Sequence, residues 1–543
     1  MIQGPIDAIT LEVLRHALAA VADEMNADLI RTAYSPNINE RRDCSSAVFD
    51  PAGNMVAQAE SIPVHLGAMP YSVAAAIQAA GQFAPGDIVV VNDPYAGGAH
   101  LPDITFVAPV FVHGDLVAFV ANRAHHADIG GKEPGSLAGD SVEIFQEGLR
   151  IPPVRLWRRG ELVEDLLSLI LLNVRTPRER LGDLRAQAAG CRMGVARMEG
   201  LVSRYGCEML ADGMDAVLAY SERRMRAEIE QLPRGTFRFE DALDGDGIVR
   251  GEIPIRVAIR AQGDRLIVDF TGSARQVAGP VNAVLAVTAS ATYFAIRAAT
   301  DPTIPANSGC YRPIEIVAPL GSVVNAVAPA AVVGGNLETA QRIVDVILGA
   351  LGTAIPERAI GACQGTMNNV AVGGTDPRTG EAYTLYETIG GGFGGRAEAD
   401  GMDGVHSHMT NTLNTPVEAL ETAYPLQVTC YELVRGSGGA GEHRGGLGIR
   451  REIRAVGHVA RVSLLTDRRS RGPYGVRGGG AGAVGRNVLL RANGQEEPVP
   501  SKGSITLSPG EALSVETPGG GGWGDPAQRS LDLIERDRRE ERI

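Results

Sequence analysis

Residues 100–128 read HLPDITFVAPVFVHGDLVAFVANRAHHAD, two apolar runs joined by His113, Gly114 and Asp115. Runs of strand length on either side of a short glycine-containing turn predict a β-hairpin. If the turn centres on Gly114, antiparallel pairing sets Asp103 opposite Ala124 or His125, with His100 just beyond. His100, Asp103, His125, His126 and Asp128 thereby gather at one end of one hairpin. The preceding NDPYAGG, residues 92–98, is the bend that delivers His100 and Asp103 there.

Imidazole and carboxylate donors at that separation suit Zn²⁺ or Mn²⁺, and a fourth position left to water would make such a site catalytic. A plainer arrangement yields the same string: His100 capping a turn, His125 bonded in the core, the carboxylates solvated. Three of the ten histidines, His100, His125 and His126, gather at this end of the hairpin, which favours the ligand reading.

Outward from the hairpin, residues 6–33 carry apolar side chains at helical spacing (Ile9, Val13, Leu14, Leu18, Val21, Met25, Leu29), and SPN at 35–37 stops the helix. From there to about 155 the pattern shortens into strands and Gly/Pro turns. Residues 162–231 have helical composition almost without a break and predict two or three packed helices. After Pro233, strand-like segments alternate with helices near 281–299 and 336–353. The last hundred or so residues are Gly-rich and strand-like. The fold class expected is mixed α/β (α+β) and multi-domain. Its expected parts are an N-terminal α/β region with the metal site (1–158), a helical segment (159–235), a Gly-rich α+β region (236–527) and a charged tail (528–543).

Composition limits the function classes. With 543 residues, 44% hydrophobic and 21% charged, the chain has the profile of a soluble globular protein. Its 64 acidic against 51 basic residues leave a net charge of −13, which repels phosphate backbones and argues against nucleic acid. The mixed tail ERDRREERI reads as a solvated helix end. The stretch MIQGPIDAITLEVL lacks the basic region, apolar run and small-residue cleavage site of a signal peptide, so a cytoplasmic location is expected. The apolar stretch 281–300 contains Asn282, Arg297 and several small polar residues, and reads as a buried helix rather than a membrane span. Six scattered cysteines form no CxxC pair, against a zinc ribbon or dithiol motif. Glycine is the anomaly, with 68 residues clustered in runs such as GGGFGG and PGGGGWG. Such runs make turns or loops, or allow backbone to approach a partner closely.

Other chemistries find less support. The chain has no GxxxxGK[ST] phosphate loop and no GxSxG nucleophile elbow, and GGGFGG lacks the strand-before, helix-after context of a dinucleotide fingerprint. His406 and His408 would share one face of an extended segment, a weaker second ligand site.

Several long strings together resemble the hydantoinase B/oxoprolinase family. They are RTAYSPNINERRDCSSAVFDPAGNMVAQAESIPVHLGAM (31–69), VNDPYAGGAHLPDITFVAPVF, NRAHHADIGG, PANSGCYRPIEIVAP, VVGGNLETAQRIVD, GGGFGGRAEADGMDGVHSHMTNTLNTPVEALE and TPGGGGWGDP, in that order from about residue 5 to 527. The resemblance implies a B-type subunit of an ATP-dependent hydrolase of cyclic amides such as hydantoins, 5-oxoproline or caprolactam. It further implies a hydantoinase A-type partner that binds ATP and Mg²⁺, in a heterotetramer or larger assembly. The missing phosphate loop agrees with that division of labour. Carried over by motif, the metal ligands are Asp43, His100, Asp103 and His125, with Glu40 as the alternative to Asp43 and as the general base. His126 and Asp128 would then hold the ligands in place. Related members belong to ketone carboxylases, so a metal-bearing carboxylase subunit is the alternative, and a non-catalytic scaffold a second one.

Overall fold

The computed structural model describes residues 6–543. Helix α1 (Ala8–Thr32) begins at Asp7, whose carboxylate accepts the N–H groups of Ile9 and Thr10 and so satisfies two free donors of the first turn. It buries Leu14, Leu18, Val21, Met25 and Leu29, but Ile9 and Val13, which share the spacing, stay exposed. Pro36 then opens a single new turn, α2 (Pro36–Asn39).

The next strands and helix are β1 (Cys44–Phe49), β2 (Met55–Gln58), α3 (Pro63–Ala80), β3 (Ile88–Val91), β4 (Asp103–Val112), β5 (Asp115–His125), β6 (Val154–Arg158) and β7 (Glu161–Leu162). The strands make one antiparallel sheet in the order β2-β1-β5-β4-β3-β6-β7. Successive side chains of a strand face opposite ways. Ala47, Phe49, Val107, Phe119 and Ala121 pack under Leu66, Met69 and Val73 of α3. Val48, Phe106, Ala108 and Val120 belong to the main core, with Leu18 and Met25 of α1. Three helices, α4 (Glu164–Leu172), α5 (Pro177–Tyr205) and α6 (Cys207–Glu230), follow, and Leu184 and Ala188 of α5 join that core. A sheet covered on both faces favours apolar residues at successive positions, and the polar exceptions are bonded: Asn122 donates to Gln187 O and Arg123 to Thr105 Oγ1.

Strands β8 (Gly235–Gly245), β9 (Arg250–Gln262) and β10 (Arg265–Asp269) form a second sheet. The chain then passes through α7 (Leu285–Ala299) and α8 (Ser308–Tyr311) before β11 (Ile314–Val317) pairs parallel with β10. The apolar stretch at 281–300 is therefore a buried helix, and among the described residues no helix is long and apolar enough to cross a membrane. A π-helical turn, Gly335–Thr339, leads into α9 (Ala340–Ala354).

The remainder holds β12 (Asn369–Thr375), β13 (Ala382–Glu387), α10 (Val417–Ala423), β14 (Leu426–Leu433), β15 (Ile449–Ala455), β16 (Ala460–Leu465), β17 (Arg486–Leu490), β18 (Glu496–Pro498), β19 (Lys502–Leu507) and β20 (Ala512–Glu516). Two antiparallel sheets, β13-β12-β16-β19 and β14-β15-β20-β17-β18, share a core of Val372, Leu385, Ile453, Leu464 and Leu513.

The glycine clusters are neither strands nor loose loops. Residues 519–523 donate backbone hydrogen bonds outward in a three-residue rhythm: Gly519 to Ala483 O and Gly522 to Gly480 O, Gly520 to Gly446 O and Trp523 to His443 O, Gly521 to Ala362 O. A period of three marks an extended three-fold helix, here bonded to a different neighbouring segment on each side. Backbones lie so close that a Cβ on Gly520 would stand 2.1 Å from Phe393 O. The charged tail is mostly exposed, as expected of a solvated helix end, but it has one buried anchor. Its helix α11 (Leu531–Arg539) buries Asp537 against Arg444 and Arg529, and Arg529 also pairs with Asp400.

Candidate metal centre

The β4–β5 hairpin turns at His113 and Gly114, both at positive φ (53° and 95°), the two-residue turn whose twist suits a hairpin. Val112 pairs with Asp115, but a bulge between Val110 and Phe111, with Val117 as the extra residue of β5, shifts the register by one. Asp103 consequently pairs with His125, on one face of the sheet. The tight turn that precedes β4 adds His100, whose carbonyl accepts Asp103 N–H at 3.1 Å, while Pro102 O accepts His126 N–H at 2.9 Å.

Donor atoms of His100, Asp103 and His125 all lie within 4.8 Å of one another, and all three residues are buried. His100 Nδ1 stands 3.0 Å from Asp103 Oδ2, yet neither nitrogen of His100 nor either oxygen of Asp103 has an aligned hydrogen-bond partner. Buried polar atoms left unpaired are costly, so one donor atom from each of three buried residues within 4.8 Å of the others asks for a cation. The donor chemistry fits: imidazole nitrogen and carboxylate oxygen are what Zn²⁺ and Mn²⁺ take. Burial opposes charge on Asp103, but His100 and His65 outweigh it and hold the carboxyl well below its usual range. Burial drives His125 well below the ordinary histidine value, leaving the neutral imidazole that binds metals.

The other expected residues divide. Asp43 is buried at the start of β1, its carboxyl raised by burial and pulled back by His65 and Arg41, and its Oδ1 lies 3.7 Å from His65 Nε2. Its carbonyl accepts His125 N–H. Glu40 is exposed at the end of α2, and no hydrogen bond or ion pair joins its carboxylate to the cluster. His126 turns to the far face of the sheet, where its Nε2 is 2.9 Å from Gln187 Oε1 of α5. Asp128 accepts N–H groups of Gly130, Gly135 and Arg175 and pairs with the Arg175 guanidinium, so it anchors the loop after β5. The structure brings neither His126 nor Asp128 side chains to His100 and Asp103. His406 and His408 also part: His408 sits at positive φ with Nε2 3.2 Å from Asp345, and the ring nitrogens of His406 have no partner.

Spacing alone missed the residues supplied by distant elements. His65, at the start of α3, reaches Asp103 Oδ1 at 3.2 Å. Tyr386 of β13 stacks on His125, ring centroids 4.4 Å apart and planes within 4°. The Arg41 guanidinium lies over the same ring, and Arg41 donates to Asn37, Tyr386 O and Thr388. Asn37 in turn donates to His125 O. Nothing local in SIPVHLGAM or TLYETIG announces these contacts.

Comparison with known proteins agrees with this architecture. The hydantoinase B/oxoprolinase family profile matches residues 7–526. An uncharacterized protein of Methanocaldococcus jannaschii is 42% identical over 99% of this chain and 94% of its own. The 5-oxoprolinase of Dictyostelium discoideum is 38% identical over 96% of this chain, which spans only 40% of that enzyme. Among solved structures, the ATP-dependent caprolactamase from Pseudomonas jessenii superposes with a TM-score of 0.92 at 30% identity, covering 99% of this chain and 95% of that one. The chain belongs to the hydantoinase B/oxoprolinase family.

Proposed function

We propose that this chain is the metal-bearing, B-type component of an ATP-dependent cyclic amide hydrolase of the cytoplasm. Its partner would be a hydantoinase A-type component that holds ATP and Mg²⁺. The observation that carries the reading is the buried convergence of His100, Asp103 and His125, in a chain similar to a 5-oxoprolinase and a caprolactamase. The D. discoideum enzyme extends well beyond the segment matched here, and that further length is where nucleotide chemistry would reside.

His100, Asp103 and His125 would hold a divalent cation, Zn²⁺ or Mn²⁺, with Asp43 completing the set. Such a cation, when bound, lowers the pKa of water toward neutrality and makes a nucleophile available at physiological pH. The chain's own groups prepare the site. Asp103 stays ionised beside two imidazoles, His125 stays neutral, and Tyr386 and Asn37 hold the His125 ring and backbone. Amides resist water because resonance withdraws electrophilicity from the carbonyl carbon. Phosphorylation of the amide oxygen by the partner would convert that oxygen into a leaving group and open the carbon to attack. Glu40, exposed and unlinked to the cluster, is not assigned the part of general base.

The test is to purify the chain with its A-type partner and screen ATP-dependent ring opening over hydantoin, 5-oxoproline and caprolactam, with elemental analysis of the complex. His100→Ala and His125→Ala are expected to abolish ring opening while leaving assembly intact. Wild-type turnover by both variants in a metal-free preparation would sink the metal reading. Turnover that needs bicarbonate would mark ketone carboxylation instead.

A further inference from the structure

One buried side chain beside the cluster belongs to neither the hairpin nor the proposed donor set. His65 is 2% exposed and projects from the first turn of α3. Its Nε2 lies 3.2 Å from Asp103 Oδ1 and 3.7 Å from Asp43 Oδ1. Its Nδ1 lies 3.3 Å from Ser45 Oγ, which itself accepts Ile62 N–H at 3.2 Å.

Carboxylate oxygens only accept, so the placement of Nε2 beside Asp103 and Asp43 suits the imidazole tautomer that carries its hydrogen on Nε2. Nδ1 is then an acceptor, and the Ser45 hydroxyl can donate to it while one of its two lone pairs accepts Ile62 N–H. A single N–H shared between two carboxylates lines up with neither, which accounts for the close yet unaligned contact to Asp103. A protonated Nε2 has no lone pair to offer a metal.

We infer that His65 is a positioning residue for the metal centre. By drawing Oδ1 of Asp103 toward itself it leaves Oδ2, the oxygen facing His100, for the cation, and by reaching Asp43 it holds that acid beside the same point. His65 thus stands between a carboxylate of β4 and one that immediately precedes β1. The inference rests on the metal reading above. Outer partners of this sort are worth about 10–100-fold in metal affinity.

The experiment uses the full-length chain, His65→Ala and His65→Gln, each loaded with Zn²⁺. Affinity is read by chelator competition and the number of bound imidazoles by X-ray absorption at the zinc edge. His65→Ala should bind about 10–100-fold more weakly with an unchanged imidazole count. His65→Gln, which keeps an N–H donor, should recover part of the loss, and it decides the matter alone if the alanine variant does not fold. Affinity of His65→Ala within twofold of wild type overturns the inference. So does loss of one imidazole in either variant, which would make His65 a ligand. A wild-type chain that binds no zinc, or binds it regardless of His100→Ala, overturns the metal reading and the inference together.

Discussion

Glu147 shows how far burial alone moves a single group. Its Oε1 accepts the N–H groups of Val332 and Val333, its Oε2 is buried without a partner, and burial pushes the carboxyl up to about 8 against those two hydrogen bonds. A carboxyl whose folded value lies above its unfolded one favours the folded state fully at low pH. That contribution falls away as pH rises from the unfolded value near 4.5 through about 8. Glu147→Gln keeps the accepting oxygen and cannot ionise. Between pH 5 and 9, thermal melts of the wild type should therefore lose more stability than those of Glu147→Gln, by an amount on the order of a few kcal/mol at the alkaline end. Parallel melting curves would show that the carboxyl ionises without cost. Asp103 is the opposite case, equally buried but held ionised by two histidines.

At the scale of elements, the β4–β5 bulge decides the site. From the His113–Gly114 turn, regular pairing would have matched Asp103 with Ala124, and a one-residue slip puts His125 on the other face. The extra Val117 restores the pairing with His125. If the proposed metal site is correct, deleting Val117 should leave a folded chain that no longer takes up Zn²⁺, measured by elemental analysis. Wild-type metal content in that deletion would refute the register argument. The glycine bundle yields a second prediction. Gly520→Ala must displace the Phe393 carbonyl 2.1 Å away and should abolish soluble folded protein or lower the melting temperature by about 1–3 °C, the shift that overpacking of about 1–3 kcal/mol gives in a chain of this length. Gly494→Ala, at φ +85° with nothing within 4 Å, should cost only about 1–2 kcal/mol of backbone strain.

At the scale of the molecule, buried charge links the helical and strand-rich parts. Arg342 and Asp345 of α9 meet Asp241 of β8, Asp467 and Arg468 after β16, and through Asp467 also Lys502 of β19. His408 closes on Asp345; burial works against its charge, but Cys363 and Asp345 prevail and push it up to about 10. Breaking such a network leaves uncompensated charge in a dry interior. Asp345→Asn should cost about 3–5 kcal/mol in urea unfolding. A loss under 1 kcal/mol would mean that Arg342 and Arg468 find other partners.

The mixed α/β class, the hairpin and its gathering of His100, Asp103 and His125 were legible in the chain. They depend on periodicity and on contacts between residues near in sequence, and the long ordered strings pointed to the family. Folding alone decided that His126 faces α5, that Asp43, which the resemblance preferred to Glu40, is buried against His65 while Glu40 is exposed, and that His65 and Tyr386 flank the cluster. It also decided that the glycines form a bonded bundle instead of loops. A strand pattern records which side chains alternate, but bulge register, and the far elements that close over a face, are set by packing between segments hundreds of residues apart.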